Sequence, residues 1–389
     1  MAAFSVDGVP MLGIVNRPDT YKKLQILSSD AQYDLACACG TGKDEHRKRS
    51  SDGSWIYPVT LPNGGTSVLF KTLMSNVCTN DCKYCPLREQ MDIPRCSMSP
   101  EETVNAFLDY FNRGEVFGLF LSSGVCGCPD TAMGRLNAVA ELLRRKHRFK
   151  GYIHLKIIPG ASDAAIRQAV SVSSAVSLNI EVPGEKFLSR LSSKKNFIKD
   201  IIEPVKLIST LTARGSEFSR VKQTTQFVVG SAGEADRQIV KYTAALYKKL
   251  KMHRIYFSAY QKQLGDDWKT NQTENIKTEA DSLTREHRLY QVDFLFRKYG
   301  FEESDVIFDS NGNLSLDYDP KEIWAVNHPE RFPVNVNSAS RFELLRVPGL
   351  GPVTVDTILE RRRQARLTSI SDIARPNARL RKAEKYLAF

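Results

Sequence analysis

Three cysteines in one short stretch carry the sharpest chemical signal: Cys78-Thr-Asn-Asp-Cys82-Lys-Tyr-Cys85. Spaced four and then three residues apart, their thiolates fit on a single loop. They can bind three irons of a cubane cluster and leave the fourth iron free for an exogenous ligand, whereas electron-transfer clusters usually take four cysteines. A zinc site more naturally shows paired Cys-x-x-Cys motifs with distant partners. A zinc loop completed by another Cys or a His is the alternative reading. All eight cysteines, at 37, 39, 78, 82, 85, 96, 126 and 128, fall in the first third of a 389-residue chain. Such clustering in a long chain suits metal or redox chemistry better than a disulfide framework. Cys37/Cys39 and Cys126/Cys128 form two Cys-x-Cys pairs that could share an auxiliary metal, or give a thiol that donates hydrogen to a radical. Incidental small residues are the plain alternative, and Cys96 has no visible partner.

A second signal lies in the tail. Residues 331–389 hold twelve Lys/Arg against five acids, a local charge of +7 within a chain total of +11. A basic module of this kind can attract a polyanion, nucleic acid first among them. Within it, Pro348-Gly-Leu-Gly351 separates two helical stretches, 338–347 (Ser338 as N-cap) and 353–363. Gly349 and Gly351 let the backbone turn and approach a surface closely. Their N–H groups at the start of a helix would make an anion site, and Arg361, Arg362 and Arg363 could reach neighbouring phosphates. Packing of the hairpin against protein is the competing reading. The run Arg144-Arg145-Lys146-His147-Arg148 suits the C-terminal end of a helix dipole and could also contribute to a nucleic-acid groove.

The elements that must position these groups read as alternating strands and helices. Apolar, β-branched runs at 68–73, 116–121, 152–158, 175–182, 226–229 and 254–257 are separated by helical patterns at 101–112, 131–147, 163–170, 197–212 and 234–251. That alternation predicts an α/β fold with a parallel sheet and right-handed crossovers: a partial (βα)6 barrel or an open doubly wound sheet. Ser177, Asn179 and Glu181 alternate along the fourth run and so would share one face. Tyr152, His154 and Lys156 alternate on the third, where Lys156 either points into the barrel or pairs with Glu181. Tyr256, Ser258 and Tyr260 do the same on the sixth. The domains expected are an N-terminal extension (1–60), the barrel (61–261), a linker with a helical connector (262–330, its helix at 284–299) and a small all-α module (331–389). No apolar run reaches the length of a membrane helix, and no secretory signal opens the chain. A soluble, cytoplasmic protein is expected.

Cys78, Cys82 and Cys85, with Tyr84 as the aromatic residue before the third cysteine and a predicted strand just before the loop, resemble the radical S-adenosylmethionine family. The resemblance implies a [4Fe-4S] cluster on the three cysteines and S-adenosyl-L-methionine on the free iron. It also implies reductive cleavage of that cofactor to methionine and a 5′-deoxyadenosyl radical. Ser122-Ser123-Gly124 stands where many members have Gly-Gly-Glu for the methionine amine; the acid is absent here. Asn179 and Glu181 stand where members bind ribose and carboxylate, Gly230 where the chain packs on adenine, and Lys156 near a cofactor or substrate anion. The tail resembles a helix-hairpin-helix, which implies DNA-backbone binding without sequence reading. The whole arrangement is similar to a radical S-adenosylmethionine family described in terms of DNA modification or repair. The runs Phe120-Leu-Ser-Ser-Gly-Val125, Gly151-Tyr-Ile-His-Leu-Lys156, Pro159-Gly160-Ala161, Arg285-Glu-His-Arg-Leu-Tyr290 and Arg331-Phe-Pro-Val334 carry that likeness. It implies an electron-donor protein, and leaves room for a separate glycosylase or nuclease partner. Two other readings stay open: the same chemistry on tRNA or a peptide, and a non-catalytic DNA-binding partner with a structural cluster.

Overall fold

A computed structural model describes residues 5, 6, 9, 10, 19–34, 47–60, 65–261 and 278–389. Two short strands, β1 (Ser5–Val6) and β2 (Val9–Pro10), pair antiparallel ahead of helix α1 (Thr20–Asp30). The central sheet follows as β3 (Lys48–Arg49), β4 (Trp55–Thr60), β5 (Thr66–Leu73), β6 (Gly118–Ser122), β7 (Tyr152–Lys156), β8 (Ala175–Ser177), β9 (Lys222–Val229) and β10 (Arg254–Ala259). From β5 to β10 each strand pairs in parallel with the next, while β4 joins β5 antiparallel. Helices α2 (Pro100–Asn112), α3 (Pro129–Glu141), α4 (Asp163–Val172), α5 (Glu185–Leu191), α6 (Glu203–Leu211) and α7 (Asp236–Leu250) supply the crossovers. Residues at the C-terminal ends of all six parallel strands line one cavity, so the sheet curves into a partial (βα)6 barrel.

Local chemistry explains most of these limits. Helix α2 starts where Ser99-Pro100 predicts: Ser99 Oγ accepts from Glu102 N at 3.1 Å and Glu102 Oε2 accepts from Ser99 N at 2.7 Å, a reciprocal cap. The helix expected over 197–212 is a π-turn, Phe197–Ile202, followed by α6. Pro204 has no N–H for the Asp200 carbonyl, which accepts instead from Gly160 N at 3.2 Å. The fourth strand is shorter than expected. After Ser177 the ladder breaks, and the Thr225 hydroxyl fills the gap, accepting from Ile180 N at 3.0 Å and donating to Leu178 O at 2.7 Å. Pairing resumes at Glu181, which bridges Phe227 with φ of 63°.

The last strand has an open edge, a liability in any sheet. Side chains cover it. Ile255 N donates to the Tyr247 hydroxyl at 3.1 Å, Phe257 N to the Tyr290 hydroxyl at 3.1 Å and Ala259 N to Glu286 Oε2 at 2.7 Å. Tyr290 and Glu286 lie on α8 (Glu279–Lys298), which begins earlier than the expected 284. The order of these bonds makes α8 antiparallel to β10, with its N-terminal half at the strand's C-terminal end.

Helix α9 (Pro320–Asn327) then leads to the C-terminal module: β11 (Val334–Asn335), α10 (Arg341–Arg346), α11 (Pro352–Arg361), α12 (Ala378–Glu384) and β12 (Leu387–Ala388). The module has its own hydrophobic cluster, including Leu344, Val347, Val355, Ile358 and Ile373, and the short parallel pair β11–β12 ties its ends. Ser340, not Ser338, caps α10, paired with Glu343 in the same reciprocal way as Ser99 with Glu102. Among the described residues no helix is long and apolar enough to cross a membrane.

Candidate functional site

The loop after β5 carries the three cysteines. Its start is pinned by Met74 N donating to Ser122 O at 2.8 Å, and its return by Met98 N donating to Met74 O at 2.9 Å. Arg95, which nothing in the sequence singled out, organises the interior. Its guanidinium donates to the carbonyls of Leu87 at 2.7 Å, Arg88 at 2.7 Å, Met91 at 3.0 Å and Asn76. Five fixed donors on one planar group can hold four carbonyls in place. Gly124 supports the loop from β6: a Cβ there would lie 2.4 Å from Val77 O and 3.2 Å from Cys78 Cβ. Thr79 N donates to Val125 O at 2.9 Å across the same contact.

These connections bring Cys78, Cys82 and Cys85 to the wall of a cavity of about 360 Å³ at the barrel mouth. Tyr84, Ser122, Ser123, Gly124, Lys156, Asn179 and Glu181 line the same cavity. Gly230 does not; it turns at the end of β9 with φ of +85°, its N–H held by Glu234 and its α-carbon face against Arg285. Ser177 faces the barrel interior below, hydrogen-bonded to His154 Nε2 at 3.0 Å, and so does not join Asn179 and Glu181. Tyr152 Oη lies 3.4 Å from His154 Nδ1 in that interior layer. Of the β10 set, Ser258 and Tyr260 line the cavity and Tyr256 does not.

The electrostatics of the mouth are those of groups waiting for a partner. Burial pushes the Cys82 thiol up, against the opposing pull of Lys195, and pushes Cys85 up to about 12, aided by the neighbouring Cys82. A metal cation bound at such thiols stabilises the thiolate and drives the proton off to solvent. Burial and the adjacent Glu181 carboxylate raise the Tyr84 phenol. Glu181 itself is buried on a left-handed backbone, and its Oε2 has no hydrogen-bond partner. Non-glycine residues rarely hold that conformation, and sites that do are often functional. Burial works against the charge of Lys195, yet Cys82 and Glu181 beside it hold its pKa above the ordinary value. Lys195 lies on no strand and in no motif, which is why sequence reasoning missed it; its neighbour Ser-Ser-Lys run offers no periodic signal.

The remaining cysteines are apart from this trio. Cys96 is buried, its thiol pushed up to about 11 by burial and Asp30. Cys128 is exposed and caps α3, accepting from Thr131 N at 3.4 Å; the Thr131 hydroxyl and N–H lower its pKa. Cys126 is half-buried. Cys37 and Cys39 lie outside the described residues. Among the described residues no three His, Cys, Asp or Glu side chains converge closely enough to hold a single metal ion.

The tail glycines occupy the turn between α10 and α11. Gly349 has φ of +88°, and a Cβ there would lie 2.2 Å from Arg379 O, so α12 presses on this turn. Gly351 is the N-cap of α11, and a Cβ would meet only Tyr299 Oη at 3.6 Å. Arg361 Nη1 donates to Asp372 O at 2.8 Å, and Arg362 Nη1 to Val336 O at 3.2 Å and Ala339 O at 2.6 Å. Arg363 is exposed. Of the basic run, Arg144 turns inward to Val172 O, Phe149 O and Gly151 O at 2.7–2.9 Å. The run enters β7 from its N-terminal end, opposite the cysteine mouth.

No family model and no curated protein matches the chain. Among solved structures it is similar to the FeFe-hydrogenase maturase HydG from Carboxydothermus hydrogenoformans, at 14% identity and a TM-score of 0.42 over 58% of this chain and 51% of that one. It is similar to methylornithine synthase (PylB) at 12% identity and 0.43, over 58% and 62%. It is also similar to anSMEcpe with bound AdoMet at 13% and 0.40, over 72% and 88%. The chain spans about half the length of the HydG chains that it matches.

Proposed function

We propose that this protein is a radical S-adenosylmethionine enzyme that acts on DNA. The observation that carries the reading is the mouth: three cysteines on one braced loop, two of them raised by burial, beside a buried carboxylate oxygen with no partner. These residues fit a [4Fe-4S] cluster. Cys78, Cys82 and Cys85 would hold three of its irons and no fourth cysteine among the described residues lines the cavity, which leaves one iron for S-adenosylmethionine. When bound, the cluster supplies the electron that splits the cofactor into methionine and a 5′-deoxyadenosyl radical able to take hydrogen from a substrate.

The chain's own groups do the rest. Glu181 and Asn179 offer buried polar atoms to the cofactor's hydroxyl and amino groups, and Ser122, Ser123 and the Gly124 backbone offer more. Lys156 and Tyr84 line the cavity wall with Glu181 and offer further polar contacts for the cofactor. Val125, Ile157, Leu178 and Val228 give the cavity apolar walls that exclude water. Gly230 closes the turn behind β9. An electron-donor protein completes the reaction.

DNA is supported by the tail: a local charge of +7, the Gly351 N-terminus of α11 and exposed Arg363. Because α8 runs from the mouth at Glu286 to Tyr299 beside Gly351, the hairpin lies about 20 Å down that helix from the mouth. A duplex held at both places must span roughly six base pairs at about 3.4 Å each.

The test is release of 5′-deoxyadenosine by anaerobically reconstituted, reduced protein given duplexes of graded length, tRNA or mixed peptides. Release is expected to rise with duplex DNA only, and only above a threshold length. Stimulation by tRNA or peptide instead moves the substrate to that class. A loaded, reducible cluster that releases none favours the structural-cluster reading.

A further inference from the structure

A segment outside the barrel strands is sewn to the cysteine loop. Asp81, the residue before Cys82, accepts from Ser193 N at 2.9 Å, Ser193 Oγ at 2.6 Å and Ser192 Oγ. Lys83 N, on the other side of Cys82, donates to Leu191 O at 2.9 Å. Lys194 Nζ donates to Thr79 O at 2.6 Å and to Glu89 Oε2 at 2.6 Å. Residues 191–194 thus grip the loop on both flanks of Cys82, and the next residue, Lys195, lines the same cavity wall as Cys82, Cys85 and Glu181. Helix α5 ends at Leu191, and the π-turn begins at Phe197, so the segment is anchored at both ends.

Two consequences follow from this geometry. Fixing a loop before its ligand arrives lowers the ordering cost of binding. A fixed cation beside a ligating sulfur stabilises added negative charge, and local charge is a known lever on cluster potential. We propose that the 191–195 segment is a clamp that pre-shapes the cysteine loop for its iron–sulfur group, with Asp81 as positioning residue, and that Lys195 raises the potential at which that group takes its electron. The proposal rests on the cluster reading of Cys78, Cys82 and Cys85.

The experiment uses full-length protein reconstituted anaerobically with iron and sulfide, without S-adenosylmethionine. Iron content and its rate of loss to a strong ferrous chelator are measured for wild type, Asp81→Ala and the double variant Ser192→Ala/Ser193→Ala. The double variant leaves the cysteine loop's own sequence intact, and far-UV circular dichroism confirms that each variant is folded. Both variants are expected to lose iron at least tenfold faster than wild type. Reductive titration followed by electron paramagnetic resonance then compares Lys195→Met and Lys195→Arg. At a fixed solution potential the reduced-to-oxidised ratio is expected to fall about tenfold in Lys195→Met, a 59 mV shift for one electron, and to stay near wild type in Lys195→Arg. Wild type that takes up no iron and sulfide overturns the cluster reading, and the clamp with it. Wild type that loads, alongside folded variants that hold iron equally well, overturns the clamp alone. An unshifted potential in Lys195→Met overturns the role of Lys195.

Discussion

The barrel mouth and the C-terminal module both concentrate charge, and they treat it in opposite ways. At the mouth, ionisable groups are buried with part of their bonding capacity unused: the raised Cys82 and Cys85 thiols and the unpartnered Glu181 Oε2. Leaving such groups unsatisfied costs stability, so their presence marks a place where a ligand completes the bonding. In the module, Arg361 and Arg362 are already bonded to the module's own carbonyls. A basic sequence there is partly architecture, and only what remains exposed, such as Arg363, is available to a polyanion.

Loss of a cysteine gives the largest effect and breaks the comparison if it fails. Cys82→Ala should bring iron from about four per chain to background in a colorimetric assay, while duplex binding by the tail stays unchanged.

The tail glycines come next, and they should separate. Gly349→Val forces a side chain into the Arg379 carbonyl on a left-handed backbone, at a cost of about 3 kcal/mol. Thermal unfolding of the module should drop sharply. Gly351→Ala makes only an ordinary contact with Tyr299 Oη at 3.6 Å on an ordinary backbone, so stability should hold, and any loss of duplex binding would come from the proposed anion site.

The arginines sharpen the same distinction. Arg362→Ala should lower stability by about 1.5–3 kcal/mol through two lost charge-assisted bonds. Arg363→Ala should leave stability alone and reduce the salt slope of duplex binding by about 1.

A pH-dependent effect belongs to Lys321, buried beneath the hairpin with Nζ 2.6 Å from Leu350 O. Burial lowers its pKa to about 7. Between pH 7 and the ordinary lysine value the unfolded chain binds more protons than the folded one, so stability should rise with pH through that window. Lys321→Met should flatten the rise in urea titrations at pH 7 and 9.

Legibility in the sequence followed the same divide. The six parallel strands and the cysteine loop were readable because β-branched runs and cysteine spacing are local signals. The depth of Ser177 was not readable: it faces inward but bonds His154 a layer below the cavity that Asn179 and Glu181 line, and the Thr225 hydroxyl that replaces the ladder above it comes from 48 positions further along the chain. Strand β4 was hidden inside a polar extension, where Pro58 argues against a strand. Arg95, Asp81 and Lys195 were invisible because each acts through contacts between segments distant in sequence or through carbonyls that no motif records. Arg362 looked like a phosphate ligand because a sequence does not say which arginines the backbone has already claimed.

The central claim is that the three cysteines leave one iron of a cluster open to S-adenosylmethionine, and electron paramagnetic resonance of the reduced, reconstituted protein tests it most directly. Adding S-adenosylmethionine should shift the signal in wild type, and more weakly in Glu181→Gln at the same concentration. A fully loaded, reduced cluster whose spectrum does not respond to saturating cofactor would contradict the account.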